Sequence, residues 1–214
     1  MTDIKLQRFR REYLAGELSE DNVLGDPYLQ FMEWLEDAIR SGISDPTAMA
    51  LASSGADGKP SVRIVLLKEA RQDGLVFFTN YESRKSAQLK ENPHASLMFF
   101  WPGLERQLRI EGVVEKINGE ESDEFFDSRP LESRITSIVS PQSNEIPGRG
   151  YLTGLFENLL NSAKENKINR PDHWGGYILK PSSYEFWQGR ENRLNDRIQY
   201  TLINEVWEIK RLAP

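Results

Sequence analysis

The chain has 214 residues, no cysteine, two histidines and a formal net charge of −6. The missing thiols exclude disulfides, thiolate zinc sites, iron–sulfur clusters and cysteine nucleophiles, and two imidazoles make a histidine-rich metal site unexpected, so no metal site is predicted. The acidic balance argues against a nucleic-acid partner, and if the chain is an enzyme, a bound cofactor is expected to carry its chemistry.

The first half of the chain predicts an N-terminal arm, a helix and several strands. Residues 3–15 mix charges with apolar side chains, as in a short amphipathic helix or arm. Asp26 and Pro27 form a helix start, and Gly42 ends that helix. Its apolar stripe is predicted to be Tyr28, Phe31, Leu35 and Ile39. Ser83 is predicted to cap a short helix at 83–92. Strand patterns predict strands at 47–54, 60–68, 75–79, 95–101 and 106–116.

The second half begins with helices and returns to strands. Residues 119–139 read as helical with a break at Arg129-Pro130, and 151–166 form another helix after a loop at 140–150. Strands follow at 176–179, 183–188, 197–203 and 206–212. The pattern predicts an α+β, mainly β fold, a closed antiparallel β-barrel with flanking helices, in one domain over 1–214. No apolar run is long enough to span a membrane and no secretory signal is present, so a cytoplasmic location is expected.

Cationic side chains are concentrated in segments that suit small anions. Arg63 and Lys68 lie near the two ends of one predicted strand and point to opposite faces, so they could serve two anions. Arg84 and Lys85 stand at a predicted helix start, where free N–H groups also attract phosphate. The simpler alternatives are a strand with charged ends and a solvated helix turn.

Two further segments add polar groups near aromatic ones. Arg129 and Ser133 lie at the predicted helix break and would suit a second phosphate. Residues 193–197, Arg-Leu-Asn-Asp-Arg, follow the aromatic strand 185–188, and could hydrogen-bond a flat polar ring. The aromatic side chains alone are more often part of a core.

Several of these motifs occur in an order and spacing that resemble one known family. They are Arg-Ile-Val-Leu-Leu-Lys (63–68), Phe-Phe-Thr-Asn (77–80), Ser-Arg-Lys (83–85), Leu-Glu-Arg-Gln (104–107), Ser-Arg-Pro (128–130), Pro-Gln-Ser (141–143), Phe-Trp-Gln-Gly (186–189) and Arg-Leu-Asn-Asp-Arg (193–197). Each is weakly specific, but the ordered set resembles the pyridoxamine 5′-phosphate oxidase family. The likeness runs from Arg10 to the C-terminus.

The resemblance implies an FMN-binding split barrel that forms a homodimer with FMN at the interface. It implies oxidation of pyridoxine or pyridoxamine 5′-phosphate to pyridoxal 5′-phosphate, with O2 as acceptor and H2O2 as product. The FMN phosphate would be held by Arg63, Arg84 and Lys85. Other contacts to FMN, partly from the second subunit, would come from Val65, Leu66, Lys68, Phe78, Thr79, Gln107, Gln142, Ser143, Trp187 and Arg197.

The same resemblance implies a set of substrate contacts. Those to the substrate's phosphate would be Lys68, Arg129, Ser133 and the position of Phe125. Arg193 and Asn195 would be catalytic residues beside the pyridine ring. Arg10 and Tyr13, in an arm formed by residues 1–20, would close over the substrate. The C-terminal strand region 173–214 would complete the site.

The chain departs from the family's common pattern at three places. Asn195 stands where histidine is common, and it can hydrogen-bond but cannot titrate. Phe125 stands where tyrosine is frequent, so one phosphate contact is missing. Thr136-Ser137-Ile138 replaces a common Gly-Ala-Trp. We expect a working oxidase with weaker substrate binding.

Two other functions remain open on the sequence. A split-barrel flavoprotein of different specificity would be an NAD(P)H-dependent flavin reductase or a ligand carrier. A non-enzymatic oligonucleotide-binding barrel would use the aromatic residues as a stacking platform, but the acidic charge argues against it.

Overall fold

The computed structural model describes residues 11–163 and 167–214, which form two compact units. Unit 1 contains the described residues up to 47 together with 98–110 and 182–214, and unit 2 contains 48–97 and 111–181. Arg10 and the first half of the predicted arm 1–20 lie outside the described residues, and residues 11–15 are not helical. The prediction of one domain over 1–214 stays a prediction.

The described chain contains five α-helices and nine strands. The helices are α1 (Pro27–Arg40), α2 (Arg84–Glu91), α3 (Gly119–Ser128), α4 (Leu131–Val139) and α5 (Arg149–Ser162). The strands are β1 (Ala48–Ser54), β2 (Pro60–Leu66), β3 (Glu69–Arg71), β4 (Gly74–Asn80), β5 (His94–Trp101), β6 (Arg106–Lys116), β7 (Trp174–Gln188), β8 (Asp196–Ile203) and β9 (Val206–Arg211). Over these residues no helix is long and apolar enough to cross a membrane.

The strands form one sheet in the order β2-β1-β5-β6-β7-β4-β3, and β8 joins β7 and carries β9. The predicted mainly β, antiparallel class with flanking helices is confirmed. The predicted closure of the barrel is wrong, because the described strand order ends at β2 on one side and β3 on the other. The edge strand β3 has only three residues and pairs with β4, so it offers little backbone for closing the ladder.

Strand β7 is continuous where the sequence predicts two strands. Its first part, Trp174–Leu179, pairs with β4, and its second part, Ser183–Gln188, pairs with β8. Pro181 lies between these two ladders, where its missing N–H removes no bond to either partner. Pro181, in the gap between the two predicted strands, therefore marks a change of partner within one strand.

In unit 1, helix α1 packs an aromatic core. The Asp26 carboxylate accepts a hydrogen bond from the Tyr28 N–H at 2.8 Å, which confirms the predicted helix start. The buried stripe differs from the predicted one: Phe31 and Leu35 are buried, but Ile39 is 54% exposed. The largest buried side chains of this unit are Phe31, Trp34, Phe99, Trp101, Tyr184, Phe186 and Tyr200.

In unit 2, α3, α4 and α5 enclose a second core. Phe126, Ile135, Ile168 and Trp174 are buried there, and α5 packs partly buried side chains against them. The predicted break is confirmed, since α3 ends at Ser128 and α4 begins at Leu131. Pro130 separates them because its ring and missing N–H prevent the helix from continuing. The break places Arg129 and Ser133 beside the candidate site.

Candidate functional site

Unit 2 contains a cavity of about 570 Å³ between β2, β4, the start of α2 and the loop 141–148, which we call the cation cavity. Its polar lining is Ser61, Arg63, Thr79, Arg84, Lys85, Gln142 and Ser143, with Lys68 at one side. All of these residues except Ser61 were predicted to contact FMN, and Lys68 was predicted to contact both FMN and substrate. Val65, Leu66 and Phe78, also predicted, line the same cavity.

The alternation of β2 directs Arg63 inward. Ser61, Arg63 and Val65 are half-buried, whereas Val62, Ile64 and Leu66 are exposed. The Arg63 guanidinium donates to the Leu51 carbonyl at 3.0 Å and to Ser53 Oγ at 2.6 Å on neighbouring β1. It also donates to Ser61 and Gln88. These neutral partners hold the guanidinium in place without neutralising its charge.

Lys85 is buried on the first turn of α2. Its ammonium donates to Thr79 Oγ1 at 2.8 Å, to Ser83 Oγ at 2.9 Å and to Gln142 Oε1 at 2.6 Å. Ser83 stands at the predicted cap position, but its hydroxyl donates to the Asn80 carbonyl and does not cap the helix. The helix start is confirmed, and the capping role of Ser83 is wrong because the hydroxyl is used in this network.

The cation cavity carries uncompensated positive charge. Burial, and then the neighbouring Arg63, lower the pKa of Lys85 to about 8. Burial, and then Arg84, lower the pKa of Arg63. Within residues 11–163 and 167–214, no carboxylate forms an ion pair with Arg63, Arg84 or Lys85. Buried cations without a counter-ion indicate a binding site for an anion.

An adjoining cavity of about 490 Å³, which we call the aromatic cavity, shares part of this lining. Leu66, Lys68, Phe78, Thr79 and Gln142 line both cavities. Its other lining residues include Phe125, Arg129, Ser133, Ser137 and Trp174. The rings of Phe78 and Phe125 are stacked with centroids 3.8 Å apart, and Trp174 lies nearly parallel to both. Lys68 is thus placed to serve ligands in either cavity.

Arg129 supplies a cation to the aromatic cavity. Its guanidinium carbon lies 4.6 Å from the centroid of the Trp174 ring, and Nη1 donates to Ser137 Oγ at 2.7 Å. Burial lowers the pKa of this guanidinium. Across the described part of the chain it forms no ion pair, so it too is available to an anion.

Other predicted site residues lie in unit 1. Tyr13 and Trp187 meet edge to face at 5.7 Å, and Tyr13 packs on Gly189, where a Cβ would come within 2.7 Å of the ring. Arg197 is bound to the buried Glu185, with Nε at 3.0 Å and Nη2 at 2.9 Å from Oε1. Gln107 lies half-buried in β6.

Arg193 and Asn195 belong to a tight turn that follows β7. Arg193 is exposed and, like Asn192, has a positive φ, of 62° and 55°. Asn195 Oδ1 accepts a hydrogen bond from the Arg190 N–H at 3.0 Å and so closes this turn. Both residues line a cavity with Tyr13, Arg11 and Arg190. The structure therefore gives Asn195 a role in shaping the backbone beside Arg193.

The sequence did not identify several residues that organise these cavities. Gln88 Oε1 accepts from Ser53, Ser61 and Arg63, and Trp174 forms part of the aromatic wall. A glutamine on a helix carries no motif of its own. The only available signal was its position four residues after Arg84, on the same face of α2.

Two family models match the sequence. Residues 35–160 match the model described as pyridoxamine 5′-phosphate oxidase. Residues 174–214 match the model described as pyridoxine 5′-phosphate oxidase C-terminal dimerisation region. The two matches together include most of the candidate site residues.

Curated relatives are similar over the whole chain. A pyridoxine/pyridoxamine 5′-phosphate oxidase of Acidovorax sp. strain JS42 is 50% identical, covering 96% of this chain and 94% of the relative. The enzyme of the same name from Actinobacillus succinogenes is 49% identical, covering 99% and 100%.

Solved structures show the same fold. PhzG from Burkholderia lata 383, crystallised with tetrahydrophenazine-1-carboxylic acid, has a TM-score of 0.86 and 29% identity, covering 91% of this chain and 95% of that one. A pyridoxamine 5′-phosphate oxidase-related, FMN-binding protein from Nostoc punctiforme has a TM-score of 0.72 at 17% identity, covering 88% and 98%. The second similarity concerns the fold alone.

Proposed function

The chain belongs to the pyridoxine/pyridoxamine 5′-phosphate oxidase family and is an oxidoreductase, and on this premise we propose the reaction that it catalyses. It oxidises the C4′ carbon of pyridoxine 5′-phosphate or pyridoxamine 5′-phosphate to the aldehyde of pyridoxal 5′-phosphate. The alcohol and O2 give the aldehyde and H2O2; the amine, O2 and water give the aldehyde, ammonia and H2O2.

FMN is the cofactor. Bound FMN would supply the two-electron chemistry that links oxidation of the C4′ carbon to reduction of O2. The residues present fit its phosphate, because the half-buried Arg63 and the buried Lys85 are cations whose described partners are all neutral. A phosphate dianion would provide the missing counter-charge, and an arginine fork suits its oxygens.

The single observation that carries the proposal is the pairing of two adjoining cavities, one with the buried Lys85 and the other with the half-buried Arg129, each available to an anion. The substrate, like FMN, carries a phosphate. We assign Arg63, Arg84 and Lys85 to the FMN phosphate, and Arg129, Lys68 and Ser133 to the substrate's phosphate. Lys68 borders both cavities, and Phe78, Phe125 and Trp174 offer flat apolar surface next to them. Val65, Leu66, Thr79, Gln142 and Ser143 complete the FMN contacts within unit 2.

The remaining roles are assigned by motif. Arg193 and Asn195 act at the reacting side of the pyridine ring, and Arg10 and Tyr13 cover the substrate. Gln107, Trp187 and Arg197 contact FMN. We place the FMN at the interface of a homodimer, so that part of the site comes from the partner subunit; the match to a dimerisation region over 174–214 supports the dimer.

Turnover in air tests the proposed reaction. Purified, FMN-loaded protein is mixed with pyridoxine 5′-phosphate without NAD(P)H, and pyridoxal 5′-phosphate and H2O2 are measured. We expect equimolar amounts of pyridoxal 5′-phosphate and H2O2. Lys85→Met should lose FMN on dialysis, whereas Lys90→Met, an exposed lysine at the end of the same helix, should retain it.

The same assay separates the alternative functions. In a parallel reaction to which NAD(P)H is added, a flavin reductase would consume NAD(P)H and leave pyridoxine 5′-phosphate unchanged. A ligand carrier would bind without turnover in either reaction. Absence of pyridoxal 5′-phosphate from FMN-loaded protein would contradict the proposed reaction. The whole-length identity of about 50% to oxidases, against 29% to PhzG, favours the oxidase.

A further inference from the structure

Ser137 holds the guanidinium of Arg129, and it stands where the family commonly has alanine. We propose that Ser137 is a positioning residue that orients Arg129 toward the phosphate of the substrate. This inference rests on the proposed function, because it assigns the substrate's phosphate to the aromatic cavity.

The guanidinium is fixed from two directions. Nη1 donates to Ser137 Oγ at 2.7 Å, and the guanidinium carbon lies 4.6 Å from the Trp174 ring centroid. The hydroxyl can accept from Arg129 because its own proton is directed to the Ser133 carbonyl, 3.1 Å away. The hydrogen-bond direction through Ser137 is therefore defined.

Ser137 is itself held firmly. It is buried in α4, and its carbonyl oxygen lies 3.2 Å from Nε2 of His173, which must carry the proton of that bond. Helix α4 also presents Ser133 to the same cavity. A side chain on this helix therefore has a fixed place relative to the cavity wall.

Orientation of Arg129 matters because its long side chain can adopt many conformations. A guanidinium that already points in the binding direction loses less conformational freedom when the phosphate arrives. The hydroxyl adds no charge, so the cation remains available to the anion. Phe125 has no hydroxyl to donate to the substrate's phosphate, which weakens binding. The orientation of Arg129 by Ser137 offsets part of this weaker binding.

The test compares Ser137→Ala with Ser128→Ala. Ser128 is exposed near the end of α3, and its hydroxyl donates to the Phe125 carbonyl at 2.7 Å, whereas that of Ser137 accepts from the Arg129 guanidinium. We expect Ser137→Ala to raise KM for pyridoxine 5′-phosphate by about tenfold, with a smaller change in kcat. The dissociation constant of pyridoxal 5′-phosphate should rise in parallel, and those of FMN and of unphosphorylated pyridoxine should not.

The Arg129→Ala background separates positioning from a general packing role. If Ser137 acts through Arg129, Ser137→Ala should have almost no further effect on ligand binding there. Ser137→Thr, which keeps the hydroxyl, should restore most of the affinity in the wild-type background. Melting temperatures of all variants check that they fold.

The outcomes distinguish this inference from the proposed function. If the wild-type protein oxidises pyridoxine 5′-phosphate but Ser137→Ala binds and turns it over like Ser128→Ala, Ser137 does not position Arg129. The same conclusion follows if the Ser137→Ala effect persists fully in the Arg129→Ala background. If the wild-type protein forms no pyridoxal 5′-phosphate while still binding it through Arg129 and Ser137, the proposed reaction fails and the positioning role stands.

Discussion

Nζ of Lys85 donates a hydrogen bond to Oε1 of Gln142 over 2.6 Å, which joins the start of α2 to the loop 141–148. Gln142 is exposed, whereas Lys85 is buried. A neutral amide oxygen thus contacts a buried ammonium in a cavity assigned to a phosphate. The arrangement has measurable consequences for pH dependence.

The stability of the FMN-free protein should increase with pH in the alkaline range. Burial lowers the pKa of Lys85 to about 8 in the folded protein, from 10.5 as the unperturbed value. Between these pH values the unfolded chain binds a proton that the folded chain has released, so the free energy of unfolding rises with pH. Urea unfolding from pH 7.5 to 10.5 measures the slope, which should be smaller in Lys85→Met.

FMN binding should show the opposite trend. The phosphate interacts best with charged Lys85, so the FMN dissociation constant should increase as the pH rises through about 8. Titration of flavin fluorescence measures it, with Lys90→Met as the control. An unchanged pH dependence in Lys85→Met would contradict the assignment of Lys85 to the FMN phosphate.

Phe125→Tyr should improve the use of phosphorylated substrate. The Phe125 ring is stacked on Phe78 at 3.8 Å, and a tyrosine ring can keep this stacking while adding a hydroxyl. A hydrogen bond to a charged phosphate contributes roughly 1.5–3 kcal/mol, so kcat/KM should rise at least about tenfold. Steady-state kinetics measure the gain, and unphosphorylated pyridoxine, which should gain nothing, is the control substrate.

Substitutions at Asn195 should separate its two roles. Asn195→Ala removes the acceptor of the Arg190 N–H bond and should lower kcat/KM by loosening the turn that carries Arg193. Asn195→His restores the residue common in the family and should raise kcat/KM above the wild-type value. Equal kcat/KM for wild type, Asn195→Ala and Asn195→His would mean that this position affects neither the turn nor the chemistry.

Two glycine substitutions should have opposite effects on stability. A Cβ at Gly112 would lie 2.0 Å from the Lys180 carbonyl oxygen, so Gly112→Ala should lower the free energy of unfolding by about 2 kcal/mol or more. Gly154, inside α5, has no atom within 4 Å of that position apart from the neighbouring backbone of its own helix, so Gly154→Ala should raise the free energy of unfolding by up to about 1 kcal/mol. Urea unfolding measures both. If Gly112→Ala and the wild-type protein have the same free energy of unfolding, β6 and β7 do not approach closely at Gly112.

Local sequence signals predicted the helices and most strands. Asp26-Pro27 and Pro130 act on neighbouring backbone, so their effects could be read directly, and both helix boundaries are confirmed. Closure of the sheet and the continuity of β7 depend on which strands pair over long distances. Alternation within a strand carries no information about its partners, so these features could not be predicted.

Candidate site residues were predictable where they lie in short motifs that the family resemblance connects. Arg63 and Lys85 come from separate motifs, and the resemblance joined them; the structure places both in the cation cavity. The roles of Gln88 and Ser137 were not predicted, because they depend on side-chain hydrogen bonds that the sequence does not reveal. Asn195 was read as a missing histidine, and its bond to the Arg190 N–H depends on a turn geometry that composition does not reveal.

An anaerobic titration tests the central claim most directly. FMN-loaded protein is mixed with pyridoxine 5′-phosphate without O2 or NAD(P)H, and the flavin absorbance is followed. The account predicts that the absorbance bleaches with one pyridoxal 5′-phosphate formed per FMN, and that admitting O2 restores it with one H2O2. A flavin absorbance that stays unchanged, with no pyridoxal 5′-phosphate formed, would contradict it.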